Sequence, residues 1–581
     1  MIEDRQWDFE EYNRPKLARL LKALRLDVEY VRASGNYMYF KTPAGDETPV
    51  LDLAGGFGST ILGHNHPEIK EIINSCADGD VPMHAQGSAR ESAGRLSKSL
   101  SELYPGKEKR ITILTNSGAE AVECALKHAE FNRMLRFQEL GKELFRNYRS
   151  MKEFLRLHSG IRLPKQYREK GAEALLNDIL MQGKMLEEMP PVVISTERSF
   201  HGKTTGSLRV TGNPMYRDAF MRLSGIDARF VEFNNADELE SVLKNCYFTI
   251  NRLEADNGEI KIVPEKHLNV TAFIMEPIQG EGGIHVATRS YMRAVKKLRD
   301  AHGFEWILDE IQTGMGRTGK LFAVENYAID KDSIDYVLLS KSLGGGTHKI
   351  GAMMVREAVH EPDFGILHTS TFCEDSPSCM VASRALELLT RNKGELMKAA
   401  GEKGDYLYTK LKEVARRYPK IVKEVRGRGL MIAVEFKQFD FMNSLFFSRV
   451  SAQGVFGSVL SGYLLHEHRV RTAPPLNSLV SPRPSNIVRI EPSALITNEE
   501  IDRVAEAFDY ACYIISRANA YEFTKFIIGK ETPGKRGEVE DFYKPAEKPP
   551  EDPEFEKCPR MAFLIHPLDI HQVMDDFDVS F

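Results

Sequence analysis

Long apolar runs are missing from this sequence of 581 residues. No stretch approaches the roughly eighteen consecutive apolar residues that read as a membrane span. Cysteine is scarce: Cys76, Cys124, Cys246, Cys373, Cys379, Cys512 and Cys558 are odd in number, scattered and without CxxC spacing. That pattern excludes a disulfide framework or a zinc site and reads as reduced thiols of a cytosol. A dominant charge sign is also missing. The 78 Lys and Arg against 83 Asp and Glu leave a formal charge of −5, which says little about partners and points to no nucleic acid. The opening MIEDRQWDFEEYNRP is acidic and has no apolar signal region. The expectation is a soluble, cytoplasmic protein.

The length suggests two or three domains. A hydrophobic share of 42% with 28% charged residues is ordinary for a globular chain. The most informative stretch runs from Trp306 to Gly346, WILDEIQTGMGRTG, a spacer, then YVLLSKSLGGG. Two short apolar runs, Trp306 to Leu308 and Tyr336 to Leu339, stop abruptly at Asp309 and at Ser340 and Lys341. Such runs read as buried strands of a parallel sheet. Ligands in open α/β sheets sit beyond the carboxyl ends of these strands. A lone Asp here would be a helix cap and a lone Lys a solvated loop residue. Together, an acid that serves a pyridine nitrogen and a lysine that forms a Schiff base are what pyridoxal phosphate requires of its protein.

DEIQTGMGRTG followed by SKSLGGG resembles the signature of class III (subgroup II) aminotransferases, over about residues 30 to 515 with one large interruption. The resemblance implies the α/β fold-type I of pyridoxal phosphate enzymes: a mostly parallel seven-stranded sheet in a large domain, plus a small α+β domain. Residues 1–50 would belong to the small domain, 51–384 to the large one, and 385–520 to the C-terminal part of the small one. It also implies pyridoxal 5′-phosphate as cofactor and a homodimer.

The remaining motifs take their roles from that resemblance. Ser117 stands where a helix N-cap belongs, with Glu120 three residues on as in a capping box. This is either a well-capped helix or, within the family pattern, a phosphate cradle of Ser117, Gly118 and Ala119. In SFHGKTTG, Phe200 would stack on the pyridine ring, and His201 would orient rather than act as a base. Lys203 departs from members that carry Arg there for an α-carboxylate, a fork that Lys cannot reproduce. The FHGK form resembles putrescine aminotransferases. Glu276 would lie on the cofactor's hydroxyl side, and Glu281 would pair with Arg489 or else be a solvated loop acid. Ile311 would pack on the ring face opposite Phe200, and Gln312 would contact the ring hydroxyl. Thr371, and the segment His84, Ala85 and Gln86, would reach the neighbouring subunit's site. Where the family has Gly-Gly-Asn after that threonine region, this chain has Cys373, Glu374 and Asp375.

Secondary structure is expected as a helix over 14–30, a strand over 111–115, and a glycine turn followed by a strand over 425–436. Residues 131–190 form a helical insertion, where the family usually has a shorter connection. Between 131 and 170 it carries eleven Lys or Arg against four acids, a net of +7. It is either a solvated surface hairpin or a docking surface for an acidic partner such as a carrier protein. Beyond 530 a proline-rich charged linker leads to a tail, the two together making up 531–581, and the start of the apolar segment MAFLI resembles the entry strand of acyl-thioester reductases. The tail would pack on the chain itself, continue into a longer polypeptide or dock on a partner. The expected reaction moves an amino group from a diamine or ω-amine to a 2-oxo acid, or in reverse aminates an aldehyde. Aminomutase, decarboxylase or racemase chemistry on the same scaffold stays open, as does a non-catalytic binding module.

Overall fold

The computed structural model describes residues 8–42, 45–473 and 486–528. The tail 531–581 lies outside the described residues. The chain forms two compact units, one taking in the chain up to His66 and from Ala399 onward, the other Pro67–Lys398. The sequence-based boundaries at 50 and 384 fall ahead of these points. The second junction lies in the long helix Ser376–Arg417, where Asn392, Lys393 and Gly394 turn to left-handed φ. No described helix is long and apolar enough to cross a membrane.

The Pro67–Lys398 unit is built on a seven-stranded sheet. Its order is Arg110–Thr115, Gly351–Arg356, Tyr336–Leu339, Glu305–Asp309, Ala272–Met275, Val192–Thr196, Asp227–Val231. The last five run parallel, while Gly351–Arg356 is antiparallel to both of its neighbours. The expected mostly parallel sheet is therefore present. Its central strands are buried along their whole length, which is why they read as unbroken apolar runs rather than alternating ones. Val122, Ala125, Leu126 and Ala129 of the helix Gly118–Leu157 cover one side of the sheet, packing with Ile307, Leu338 and Met353.

That helix is 40 residues long, about 60 Å at 1.5 Å per residue. It runs without a break into the insertion. Gly171–Glu188 returns against it, and an antiparallel hairpin, Tyr247–Asp256 with Glu259–Leu268, completes the module. Leu140, Leu144, Leu175, Ile179, Ile250 and Leu253 are among the residues of a separate apolar core shared by all three pieces. The strand edge at Asn251 and Leu253 is closed by side chains. Asn147 bonds both N–H and C=O of Leu253 (2.9 and 2.8 Å), and Gln182 does the same for Asn251 (2.6 and 3.1 Å). An otherwise open strand edge is thereby capped without a further strand.

The +7 of residues 131–170 is largely answered within this module. Over 131–190 there are twelve bases and eight acids, and over 247–268 three bases and four acids, leaving +3. Glu139 meets Lys142 (3.3 Å) and Arg146 (3.0 Å), Glu153 meets Arg156 (2.6 Å), and Glu259 meets Arg162 (3.5 Å).

The other unit contains a four-stranded sheet, Tyr30–Ser34, Tyr37–Lys41, Glu47–Asp52 and Val470–Arg471, and a three-stranded one, Val422–Arg428, Met431–Phe436 and Ile487–Ile490. Two expectations are corrected here. The N-terminal helix is Pro15–Ala23, not 14–30: Arg25 takes left-handed φ (+54°), and the chain becomes a strand from Tyr30. Residues 425–428 belong to a strand instead of a turn, and the turn is Gly429 (φ +56°). Asp52 is buried and accepts from Ala54 N–H (3.0 Å) and Arg471 (2.7 Å), with His64 Nε2 at 2.9 Å. Despite the cost of burial, His64 and Arg471 hold its pKa below the usual carboxylate range.

Candidate active site

Asp309 ends its strand and Lys341 begins the turn Lys341–Gly344 after the neighbouring one. The register sets Asp309 beside Leu338, and Glu310 N–H bonds to Leu338 C=O (3.0 Å), so both strands stop at one edge of the sheet. Asp309 is 3% exposed. Its Oδ1 accepts from Ile311 N–H (3.0 Å), and its Oδ2 lies 2.7 Å from His201 Nδ1. His201 is itself buried, with its backbone N–H on Thr211 Oγ1 (3.0 Å) and, among the described residues, no hydrogen-bond partner for its Nε2. The contact fixes the imidazole and the carboxylate against one another.

Lys341 has φ +44°, a left-handed conformation that costs a side-chain-bearing residue roughly 1–3 kcal/mol and clusters at functional sites. Its Nζ donates to Gln312 Oε1 (2.6 Å). Glu310, the second acid of the DE pair, is fully buried, accepts from Ala323 and Val324 N–H, and is pushed up to about 8 by burial. It is committed to the backbone of the following turn. Of the two adjacent acids, Asp309 is the one that meets His201.

The start of the helix Gly118–Leu157 adjoins this pair through Ile311. A Cβ on Gly118 would lie 3.0 Å from Ile311 Cδ1 and Cγ2, a tight approach that the absence of a side chain relieves. Ser117 caps the helix by accepting from Glu120 N–H (3.3 Å), while the Glu120 carboxylate returns to Asn116 N–H (2.8 Å), one residue earlier than in a regular capping box. Ala119 touches the FHGK loop, where Gly202 has φ +129° and a Cβ would stand 2.7 Å from Ala119 Cβ.

Glu276 accepts from Phe200 N–H (3.0 Å) and Gly280 N–H (2.9 Å). It therefore positions the backbone that presents Phe200. Burial pushes it up to about 7, opposed by His201 and assisted by Asp309. Phe200 meets Tyr216 edge-on, with ring centroids 5.8 Å apart. Lys203 Nζ lies 4.0 Å from the Tyr216 ring centre and 5.7 Å from that of Phe200. Tyr216 O–H donates to Glu281 (3.1 Å). Arg489 belongs to the other unit, where it is buried 5.5 Å from the Phe57 ring centre.

Thr371 is exposed and its carbonyl accepts from Gln86, so the two segments expected at a subunit boundary touch within one chain. Asn116 Nδ2 donates to Ser370 Oγ (3.0 Å), linking them to the helix start. His84 packs edge-on against Phe372 at 5.1 Å. The unusual acids are both occupied: Glu374 pairs with Arg90 (2.6 Å), and Asp375 accepts from Ser378 N–H (2.8 Å) at the start of a helix. Glu374 has φ +66°, a left-handed conformation that suits glycine better than a residue with a side chain.

Sequence reading missed Tyr216 and Thr211. The only signal for the former was Asn213-Pro214, a cap followed by proline, which marks the turn Pro214–Arg217 but not its purpose.

An ornithine aminotransferase from Toxoplasma gondii has a similar fold, with a TM-score of 0.60 at 23% identity over 85% of this chain and 92% of that one. A transaminase from the marine bacterium Virgibacillus gives 0.63 at 20%, over 84% and 93%. A Bacillus anthracis aminotransferase gives 0.60 at 21%, also over 84% and 93%. At these identities the likeness speaks to the fold. The family description, aminotransferase class-III, matches residues 22–511, and the chain belongs to that family of pyridoxal phosphate-dependent enzymes.

Proposed function

We propose that this aminotransferase takes its amino group from a putrescine-like diamine or ω-amine and passes it to a 2-oxo acid, or in reverse aminates an aldehyde. The observation that carries the donor is Lys203. A lysine ammonium parked over the Tyr216 ring offers no bidentate fork to an α-carboxylate.

The residues present fit the cofactor. Ser117 takes the third and fourth N–H groups of the helix start (Glu120 and Ala121) on its own oxygens, leaving those of Gly118 and Ala119 for a phosphate. Phe200 and Ile311 would enclose the ring. Bound pyridoxal phosphate supplies an aldehyde for the incoming amine and a ring that withdraws electrons. Asp309, oriented by His201, would hold the proton on the ring nitrogen. Lys341 Nζ would carry the cofactor between turnovers and move the proton of the substrate carbon, with Gln312 setting where Nζ rests. Glu276 would keep Phe200 in place. Thr371 would serve the phosphate of a second copy, which makes the working form a homodimer. The exposed Met83, Ile366, Leu367 and Phe372 around that segment support this, and an active enzyme that scatters light as a monomer at all assay concentrations would refute it. For the insertion, the ion pairs within its module support a solvated hairpin; nothing among the described residues favours a carrier-protein or reductase partner.

The donor reading predicts that putrescine exceeds ornithine reacting at its α-amino group in kcat/KM by about tenfold or more. A charge-assisted bidentate pair is worth about 1.5–3 kcal/mol, and Lys203 forgoes it. Stopped-flow half-reactions over an amine panel measure this, and ornithine outpacing putrescine at that position refutes it.

A further inference from the structure

We propose that Thr211 is a positioning residue for the ring-nitrogen end of the site, holding His201 where its imidazole fixes the carboxylate of Asp309. The inference deepens the cofactor reading above and rests on it at one point, that Asp309 serves the ring nitrogen.

Thr211 is fully buried and follows the short helix Thr205–Arg209. The chain is pinned on both sides of it. Val210 C=O accepts from Ser195 Oγ (2.7 Å) on the strand Val192–Thr196, and Gly212 N–H bonds to Ser199 C=O (2.9 Å). A Cβ on Gly212 would lie 2.3 Å from the Thr196 carbonyl oxygen, so a residue without a side chain lets the segment pass this close to the strand end. Thr211 therefore has a fixed place relative to the sheet.

Its hydroxyl lies across the backbone of His201. Oγ1 accepts from His201 N–H (3.0 Å) and has two carbonyls in reach of its single proton, those of Gly202 (3.1 Å) and Ser207 (3.0 Å). The preceding N–H, that of Phe200, is taken by Glu276 (3.0 Å) just past the strand Ala272–Met275. Two consecutive backbone groups are thus each held by a separate buried side chain. From His201 the contacts lead directly to the acid: Nδ1 lies 2.7 Å from Asp309 Oδ2, and since a carboxylate accepts, Nδ1 is the donor. Two rotatable bonds join the imidazole to its backbone, so a shift of the peptide at 201 is passed on to Nδ1. A buried N–H left without an acceptor is costly, and without the Thr211 hydroxyl the peptide at 201 would turn away to find one.

Thr211→Val keeps the shape of the side chain and loses the hydroxyl, Thr211→Ser keeps the hydroxyl and loses a methyl, and Thr211→Ala loses both. Each is tested as full-length, cofactor-loaded enzyme. The first reading needs no turnover. The proton between His201 Nδ1 and Asp309 gives a far-downfield proton resonance, identified by its loss in His201→Gln. That resonance should move upfield or broaden in Thr211→Val and stay in place in Thr211→Ser. The second reading is a double-mutant cycle. Thr211→Val should lower kcat of the amine half-reaction about tenfold with KM close to wild type, and Thr211→Ser should restore it. In a His201→Gln background Thr211→Val should cost less than about twofold, because the residue it acts through is gone. An unchanged resonance in Thr211→Val, or the same factor lost with and without His201, makes Thr211 a structural residue and overturns the proposal. Should Thr211→Val not fold, Thr211→Ser against Thr211→Ala, which differ in the hydroxyl alone, decides by the same two readings. If Asp309→Asn leaves kcat near wild type while Thr211→Val still displaces the resonance, the ring-nitrogen reading has failed and the positioning of His201 stands.

Discussion

Lys341→Ala is expected to abolish transamination, by about 10⁴-fold or more, and to leave a folded chain. The size follows from removing both the amine that carries the cofactor and the group that moves the substrate proton, the latter alone worth about 10²–10⁴-fold. The fold should survive because alanine keeps the Cβ. The left-handed backbone at 341 is no more strained in the variant than in the wild type, and the bond to Gln312 is a side-chain contact outside the packed core. Borohydride reduction of loaded wild-type enzyme followed by peptide mapping should label Lys341. A label on any other lysine, or a Lys341→Ala enzyme within a hundredfold of wild type, would remove the assignment.

Asp309→Asn should lower kcat by about 10²–10³-fold, the scale seen when one preorganised electrostatic partner is taken from a water-excluded site. Asparagine has the size of aspartate and still accepts from Ile311 N–H, so the strand end keeps its shape. It loses the charge that would hold a proton on the ring nitrogen and that faces His201 at 2.7 Å. The measurement is kcat in steady state beside the affinity for pyridoxal phosphate. A kcat within threefold of wild type would show that Asp309 does not serve the ring.

The parts of the site that were legible in the sequence lie at the ends of fully buried strands. Trp306 to Leu308 and Tyr336 to Leu339 have no solvent-facing side, so their runs are unbroken and the change to Asp309 and Lys341 is abrupt. Partners remote in sequence were not legible. Nothing local to Tyr216 says that its ring meets Lys203 or that its hydroxyl meets Glu281, since both contacts depend on how the FHGK loop and the loop after Ala272–Met275 converge. The strand Val422–Arg428 was hidden by its charges: Glu424 and Arg426 face one another across 3.0 Å, and Arg426 also pairs with Glu435 on the next strand. The hairpin at 247–268 was a different failure. Its turn residues Asn257 and Gly258 both have positive φ (+46° and +76°), the two-residue arrangement for which Asn-Gly is the strongest short signal. Reading that dipeptide would have found the hairpin, although not the apolar core it shares with a segment far ahead of it in the chain.

That shared core bears on descent. Extending a helix at its C-terminus leaves its N-terminus in place, so the ancestral chain could lengthen Gly118–Leu157 without disturbing Ser117 or Gly118. The added length, however, exposes Leu140 and Leu144 unless Ile250 and Leu253 are there to meet them, and a two-stranded hairpin by itself is marginal in water. Either segment without the other leaves part of that apolar core facing water. Across kindred chains the two segments should be inherited as a pair, their lengths rising and falling together, and a lineage that sheds one should be found to have shed both.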